Sequence, residues 1–180
     1  MSENENLIVK NSFWANIFKS KTESEEILEI LKQMPPFENL RPKELKDVLA
    51  LIHHRTYEAG ETVFMKGDPG ISFYVIISGT VAIVDESRAL KLRLAEFSRG
   101  DFFGEIALID SETRSASAIA ESKCTLAAIF KPDLDEFMQK NPKAGISILT
   151  GLSKIITARL RNLNTDYFNL YEKFSLKGDK

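Results

Sequence analysis

The chain has 180 residues, 43% of them hydrophobic, with a net charge of -2 and a single cysteine. That length supports one domain with one good core, and the slightly acidic balance lacks the basic face that nucleic-acid binding normally shows. One cysteine cannot close an internal disulfide, and there is no secretory leader or apolar run of membrane-spanning length, so a soluble cytoplasmic protein is expected.

Residues 1–6 are polar. Leu7, Ile8 and Val9 follow, then Phe13, Trp14, Ile17 and Phe18, with Lys10, Lys19 and Lys21 alongside. On a helix from about Ser12 the four large residues form an apolar stripe. Two readings of it are open: an anchor for a membrane or partner, or a face that packs on the domain or on a second subunit. Thr22 followed by Glu25 reads as a capping box. It opens a helix whose buried face is Ile27, Leu28, Leu31 and Met34 and which Pro35-Pro36 ends. A second helix is expected from Pro42 to about His53, with Leu45, Val48, Leu49 and Ile52 at helical spacing. His53 and His54 are the only histidines. Adjacent helical positions point about 100° apart, so the two make a poor metal pair and no metal site is expected.

From Arg55 to Phe130 the texture changes to short strands and turns. Thr62 to Met65 is a strand candidate, followed by the turn-rich cluster Lys66-Gly67-Asp68-Pro69-Gly70. Phe73 to Ile77 and Thr80 to Val84 flank Ser78-Gly79 and read as a tight hairpin. Leu90, Leu92 and Leu94 alternate with Lys91 and Arg93, as in a half-buried strand with its leucines inward. Ser115 to Ala120 and Cys124 to Phe130 read as further strands, the second carrying a structural thiol. Short strands separated by Gly and Asp turns point to a small antiparallel barrel or jelly roll.

The stretch from Phe102 to Ser117 is the most specific in the chain. Gly104 lets the backbone approach a ligand closely. Ile106 to Ile109 form a short apolar helical turn whose first amide groups lack intrahelical partners and suit an anion. Arg114 lies nine positions beyond Glu105 and offers a planar fork for bidentate contact with a phosphate. A carboxylate aimed at a phosphate repels it. A site that uses both therefore needs a ligand with a phosphate at one end and a hydroxyl donor a few ångströms away. A ribose cyclic phosphate is such a ligand.

This segment resembles the phosphate-binding cassette of the cyclic nucleotide-binding domain superfamily. That superfamily includes the regulatory subunits of cyclic-AMP-dependent protein kinase, cyclic nucleotide-gated channels and bacterial catabolite activators. Phe103 to Leu108 and Arg114 to Ser117 fill its pattern without insertion or deletion: Phe-Gly-Glu, an aliphatic residue, Ala and Leu, a short loop, then Arg and small residues. The resemblance implies an α+β fold, an eight-stranded antiparallel β-roll forming a jelly-roll-like barrel, with N-terminal helices and a long C-terminal helix. It implies ligand binding by Gly104, Glu105, Ile106, Ala107, Arg114 and Ser115. In that scheme Glu105 accepts from the ribose 2′-hydroxyl, Arg114 holds the cyclic phosphate, and the amides near Ile106, Ala107 and Ser115 complete the cradle. Ala95 and Phe97 are candidate walls for the base, although core packing explains them equally well. The competing reading is a cassette kept only as a fold element, with Glu105 and Arg114 paired to each other.

Asp133 to Lys140 reads as a short amphipathic helix, and Pro142 opens a long one to about Phe174. Leu149, Leu152, Ile156, Leu163, Tyr167 and Leu170 resemble a heptad seam, with Arg159 in the gap. Gly145 and Gly151 serve either flexibility or close packing. By the resemblance these helices form a lid over the base and a dimer interface, with Leu163 and Asn164 as candidate lid contacts. Packing of the seam on the chain's own barrel is the competing explanation. No helix-turn-helix, kinase, cyclase or channel segment follows, so a stand-alone sensor and not an enzyme is expected.

The expected organisation is a tail over residues 1–21 and a cyclic nucleotide-binding domain over 22–180. Within it, 22–54 are helices, 55–131 the roll with the cassette at 102–117, and 132–174 the lid and dimer helices. The expected ligand is cyclic AMP, with cyclic GMP second, and no cofactor. The expected partners are an unidentified protein, a second copy through the C-terminal helix, and a membrane contact through residues 7–19. Nucleic acid is not among them. A ligand-independent interaction module on the same fold is the alternative.

Overall fold

The structure, a computed structural model, describes residues 22–86, 92–110 and 112–178. The apolar stripe at residues 7–19 and Leu90 lie outside the described residues. Two helices lead the chain, α1 (Glu23–Gln33) and α2 (Pro42–Leu49). The capping box that opens α1 is present: the Glu25 carboxylate accepts from the Thr22 amide at 2.8 Å, and the Thr22 hydroxyl from the Glu25 amide at 3.3 Å. Ile27, Leu31 and Met34 are buried.

α2 stops at Leu49, four residues short of His53, and His53 and His54 belong to a strand, β1 (Ile52–Tyr57). The helical spacing of Leu45 to Ile52 was compatible with either state. The decision came from outside the segment, because β1 finds a full antiparallel partner in β8 (Cys124–Phe130), with His53 opposite Ala128 and His54 opposite Ala127.

The remaining strands are β2 (Thr62–Phe64), β3 (Ser72–Ser78), β4 (Val81–Asp85), β5 (Leu92–Phe97), β6 (Phe102–Phe103) and β7 (Ser117–Ala120). They form two four-stranded antiparallel sheets, ordered β1-β8-β3-β6 and β2-β7-β4-β5. The expected roll is therefore present, but as two sheets that are not joined into a closed barrel. β3 separates two cores by simple alternation. Phe73, Val75 and Ile77 point to the helices, while Tyr74 and Ile76 point between the sheets. Full burial of a residue such as Phe73 contributes about 1.5–3 kcal/mol.

Two strand expectations need correction. β3 and β4 are not a paired hairpin. They lie in different sheets, and Gly79, at φ 84°, carries the chain across. A side chain on Gly79 would overlap Lys123 and Cys124, so the turn is pressed against the β7–β8 turn. The Ser122 hydroxyl there accepts from the Thr80 amide at 3.0 Å. In β5 it is Ala95 and Phe97 that turn inward, while Leu92 and Leu94 are exposed. Opposite β4 the register slips: Ile83 faces Ala95 and Val84 faces Arg93, so Leu94 is an extra residue in a bulge. Alternation read from sequence assumes an unbroken ladder, and the bulge breaks it.

After β8 come α4 (Lys131–Lys140) and α5 (Pro142–Gly178), the short cassette helix α3 (Ala107–Asp110) having preceded β7. Ala144, Ile148, Leu152 and Ile155 bury the first half of α5. Its two glycines serve close packing: a side chain on Gly151 would strike the backbone of Pro35 and Pro36, and one on Gly145 would press on Met138. Beyond Ile156 the seam does not pack on the chain's own sheets. Leu160, Leu163, Tyr167, Leu170 and Phe174 are all exposed.

Candidate functional site

Between the sheets, at the end where α5 passes, lies a cavity of about 410 Å³. Its floor is aromatic. Phe97 lies over Phe103 at 6.2 Å and Phe64 meets Phe103 at 5.9 Å, while Tyr74, outside the lining, stacks on Phe103 at 5.3 Å. These residues come from strands of both sheets, so the floor exists only once the sheets face each other.

Residues 104–106 and 112–116 form one rim. Gly104 has φ 79°, which disfavours any side chain there, and an added Cβ would sit 2.7 Å from Arg114 Nη1. The C-terminal end of the cassette is pinned to the turn at residues 66–68. The Arg114 amide donates to the Asp68 carbonyl at 2.8 Å, and the Ser117 hydroxyl accepts from the Lys66 amide at 2.9 Å. Leu108 drives the short helix into the helical core, and Lys131 Nζ donates to the Leu108 carbonyl at 3.0 Å. The cassette thus shares its packing and one cap with the C-terminal helices.

Arg114 is 6% exposed. Its Nη2 donates to the Ser72 carbonyl at 2.6 Å and the Ser72 hydroxyl at 3.2 Å, and its Nη1 to the Gly104 carbonyl at 3.2 Å. Its guanidinium lies 4.0 Å from the centre of the Phe64 ring. Its Nε is buried without a hydrogen-bond partner. Its hydrogen bonds thus go to neutral oxygens, and burial pushes its pKa below the usual arginine value, opposed by Tyr74, Asp68 and Glu105. A buried cation held by neutral oxygens favours an anion beside it.

Glu105 is more deeply buried, at 1% exposure, and its hydrogen-bond partner is not Arg114. Arg159 of α5 donates from Nη1 to Glu105 Oε1 at 2.5 Å and from Nη2 to the Phe102 carbonyl at 2.9 Å. Its guanidinium also lies over Phe97 at 5.1 Å and Phe102 at 5.3 Å.

Of the residues singled out from sequence, Gly104, Glu105, Ile106, Arg114, Ser115, Ala95 and Phe97 line this one cavity. Ala107 is the first residue of α3. Leu163 and Asn164 do not line the cavity, and both are exposed. Arg159, one helical turn before Leu163, lines it in their place. A helix without a fixed motif gives no register, so sequence could not say which turn faces the cavity. The available signal was the cation itself, set in an apolar row. Phe64, Ile83, Glu112 and Thr113 also line the cavity and carried no separate signal. Among the described residues no group of three or more His, Cys, Asp or Glu is placed to hold a metal ion.

A buried arginine beside a buried glutamate in a cassette between two sheets is a specific arrangement, and family comparison agrees with it. Residues 54–141 match the model of the cyclic nucleotide-binding domain. This chain carries a cyclic nucleotide-binding domain. It is 31% identical over 137 residues to the cyclic AMP receptor protein of Thermus thermophilus, an alignment covering 76% of this chain and 62% of that protein. It is 30% identical over 131 residues to the cAMP-dependent protein kinase regulatory subunit of Colletotrichum orbiculare, covering 72% of this chain and 32% of the relative. The chain therefore spans less than two thirds of these relatives. Among solved structures, a cyclic nucleotide-binding domain from Methylobacillus flagellatus superposes with a TM-score of 0.69 at 27% identity, covering 77% of this chain and 79% of that one. The Thermus thermophilus catabolite activator protein gives 0.66 at 30% identity, covering 76% and 62%.

Proposed function

We propose that this cyclic nucleotide-binding domain is a sensor, regulatory and not catalytic, whose ligand is cyclic AMP, with cyclic GMP second. The observation that carries the reading is the Arg114 guanidinium, buried against Phe64 and bonded to neutral oxygens, in the same cavity as Glu105. Arg114 holds the cyclic phosphate, whose negative charge supplies the counter-ion. Glu105 accepts from the ribose 2′-hydroxyl. Gly104 admits the close approach, and the amides of Ile106, Ala107 and Ser115 complete the cradle. Ala95 and Phe97 wall the base. The preference for cyclic AMP is supported by the names of the Thermus and Colletotrichum relatives.

Relay to the outside runs through α5. The ribose hydroxyl and Arg159 address the same carboxylate, so a bound ligand changes the hold that Glu105 has on α5. The ligand acts as a switch to the extent that it binds one position of α5 more tightly than the other. A shift of α5 brings the turn carrying Leu163 and Asn164 nearer the base.

The exposed half of α5 supports a second copy as partner. Ile156, Leu160, Leu163, Tyr167, Leu170 and Phe174 follow the alternating spacing of four and three that two-stranded coiled coils use. The test of the ligand reading is thermal unfolding of nucleotide-free protein with cyclic AMP and with linear 5′-AMP. Stabilisation by the cyclic ligand alone supports it, and equal response to both contradicts it.

A further inference from the structure

At Arg159 the helix α5 leaves the domain. Ile155, one turn before, is buried, and every residue from Leu160 to Ser175 is exposed. The Arg159 guanidinium is the last hold, and it engages two groups that a nucleotide in this cavity also needs. Its Nη1 donates to Glu105 Oε1 at 2.5 Å, the carboxylate assigned to the ribose hydroxyl. Its Cζ lies 5.1 Å from the centre of Phe97, the ring assigned to the base. Phe103 already stacks on that ring at 6.2 Å, with the two planes 5° apart. Aromatic rings pack with their centres about 4.5–7 Å apart, the shell in which the guanidinium sits. A purine laid against Phe97 therefore claims the space that Arg159 fills.

We infer that Arg159 is a built-in competitor of the nucleotide, one side chain that occupies the ribose and base positions together until ligand displaces it. The inference rests on the cavity being the nucleotide site. Arg114 is no such competitor, because its hydrogen bonds go to Ser72 and to the Gly104 carbonyl, neither of which the nucleotide needs as an acceptor. Arg159 and Glu105 are opposite charges in direct contact, whereas a ribose hydroxyl is a neutral donor, so the exchange at Glu105 opposes binding. The Phe102 carbonyl, which accepts from Nη2 at 2.9 Å, loses its donor in the same step. The affinity observed is then the intrinsic one scaled by the fraction of chains in which Arg159 has left the cavity. Its departure also removes the last hold of the domain on α5, and the exposed half of the helix is released from the position that Arg159 fixes.

Titration of nucleotide-free wild type, Arg159→Ala and Arg159→Lys with cyclic AMP tests this. The alanine variant is expected to bind roughly ten to a hundred times more tightly than wild type, because its Glu105 has no charged partner until the ribose hydroxyl arrives. The lysine variant keeps a cation for Glu105 but loses the planar cover on Phe97. It is expected to fall between the two, and it carries the test if the alanine variant does not fold. Methylguanidinium probes the vacated place. It is expected to weaken nucleotide binding by the alanine variant more than tetramethylammonium does at the same ionic strength, and to act on wild type no differently from tetramethylammonium. Variants that bind as wild type does overturn the competitor. Variants that bind more weakly overturn it in favour of an arginine that holds the nucleotide. Tighter binding that methylguanidinium does not oppose overturns it in favour of a loosened cassette. In each of these outcomes wild type binds cyclic AMP and the sensor reading stands. Absence of binding by wild type and both variants removes that reading, and the competitor with it.

Discussion

Arg159, on the C-terminal helix, donates to the buried carboxylate of Glu105 at 2.5 Å and so ties the cassette to α5 across 54 residues of sequence. Because Glu105 is 1% exposed, removing Arg159 leaves a carboxylate cut off from water and short of a partner. Arg159→Ala is expected to lower the stability of nucleotide-free protein by about 1–3 kcal/mol, with Arg159→Lys between it and wild type. Thermal unfolding checks this, and an unchanged midpoint in the alanine variant contradicts it.

The role given to Glu105 predicts discrimination at the ribose. A hydrogen bond to a charged acceptor contributes about 1.5–3 kcal/mol, so 2′-deoxy cyclic AMP is expected to bind roughly ten to a hundred times more weakly than cyclic AMP. Glu105→Gln narrows the difference. Equal affinity of the two ligands for wild-type protein removes Glu105 from the ribose.

Gly104→Ala tests the geometry of the cassette rather than its charge. The residue sits at φ 79°, and its new methyl group meets Arg114 Nη1 at 2.7 Å. The backbone term alone costs about 1–2 kcal/mol, and Arg114 is displaced from the Gly104 carbonyl. Nucleotide affinity is expected to fall more than stability does. Comparison of titration and denaturant unfolding separates the two.

The seam on α5 predicts self-association. Leu163→Glu together with Leu170→Glu is expected to convert the protein to monomer in sedimentation experiments while leaving the fold unchanged. A wild type that is already monomeric at high concentration contradicts the second copy as partner.

Cys124 is buried in β8, and burial, with a smaller contribution from Glu61, pushes its thiol pKa up. A raised value in the folded state means that the unfolded chain ionises first. Stability is then fully present below the ordinary thiol value of about 8.5 and declines as pH rises above it. Denaturant midpoints measured across alkaline pH are expected to fall, less steeply in Cys124→Ala. Alkylation of native protein at neutral pH is expected to be slow and to become fast on unfolding.

Much of this was legible in the sequence, for local reasons. The capping box at Thr22 and Glu25 and the Pro35-Pro36 stop are short-range devices, and they act as read. The cassette combines a glycine at a forced backbone angle with two charges at fixed spacing, which few other structures require together. The failures share the opposite character. His53 and His54 joined a strand because β8, more than 70 residues away, supplied the ladder. The turn at Gly79 looked like a hairpin because nothing nearby says that its two strands go to different sheets. Leu94 concealed a bulge, and Arg159 reached the site from a helix whose register only the folded core sets. Short capping and turn motifs were reliable, whereas spacing failed wherever a partner far away in sequence decided the state or register of the segment.

The most direct test of the account is isothermal titration of nucleotide-free wild-type protein with cyclic AMP and cyclic GMP, alongside Arg114→Ala. Wild type is expected to bind with micromolar or tighter affinity, cyclic AMP ahead of cyclic GMP, with the alanine variant weakened by about 2–5 kcal/mol for want of the phosphate's partner. Folded, ligand-free wild type that binds neither nucleotide, or an alanine variant that binds as tightly as wild type, contradicts it.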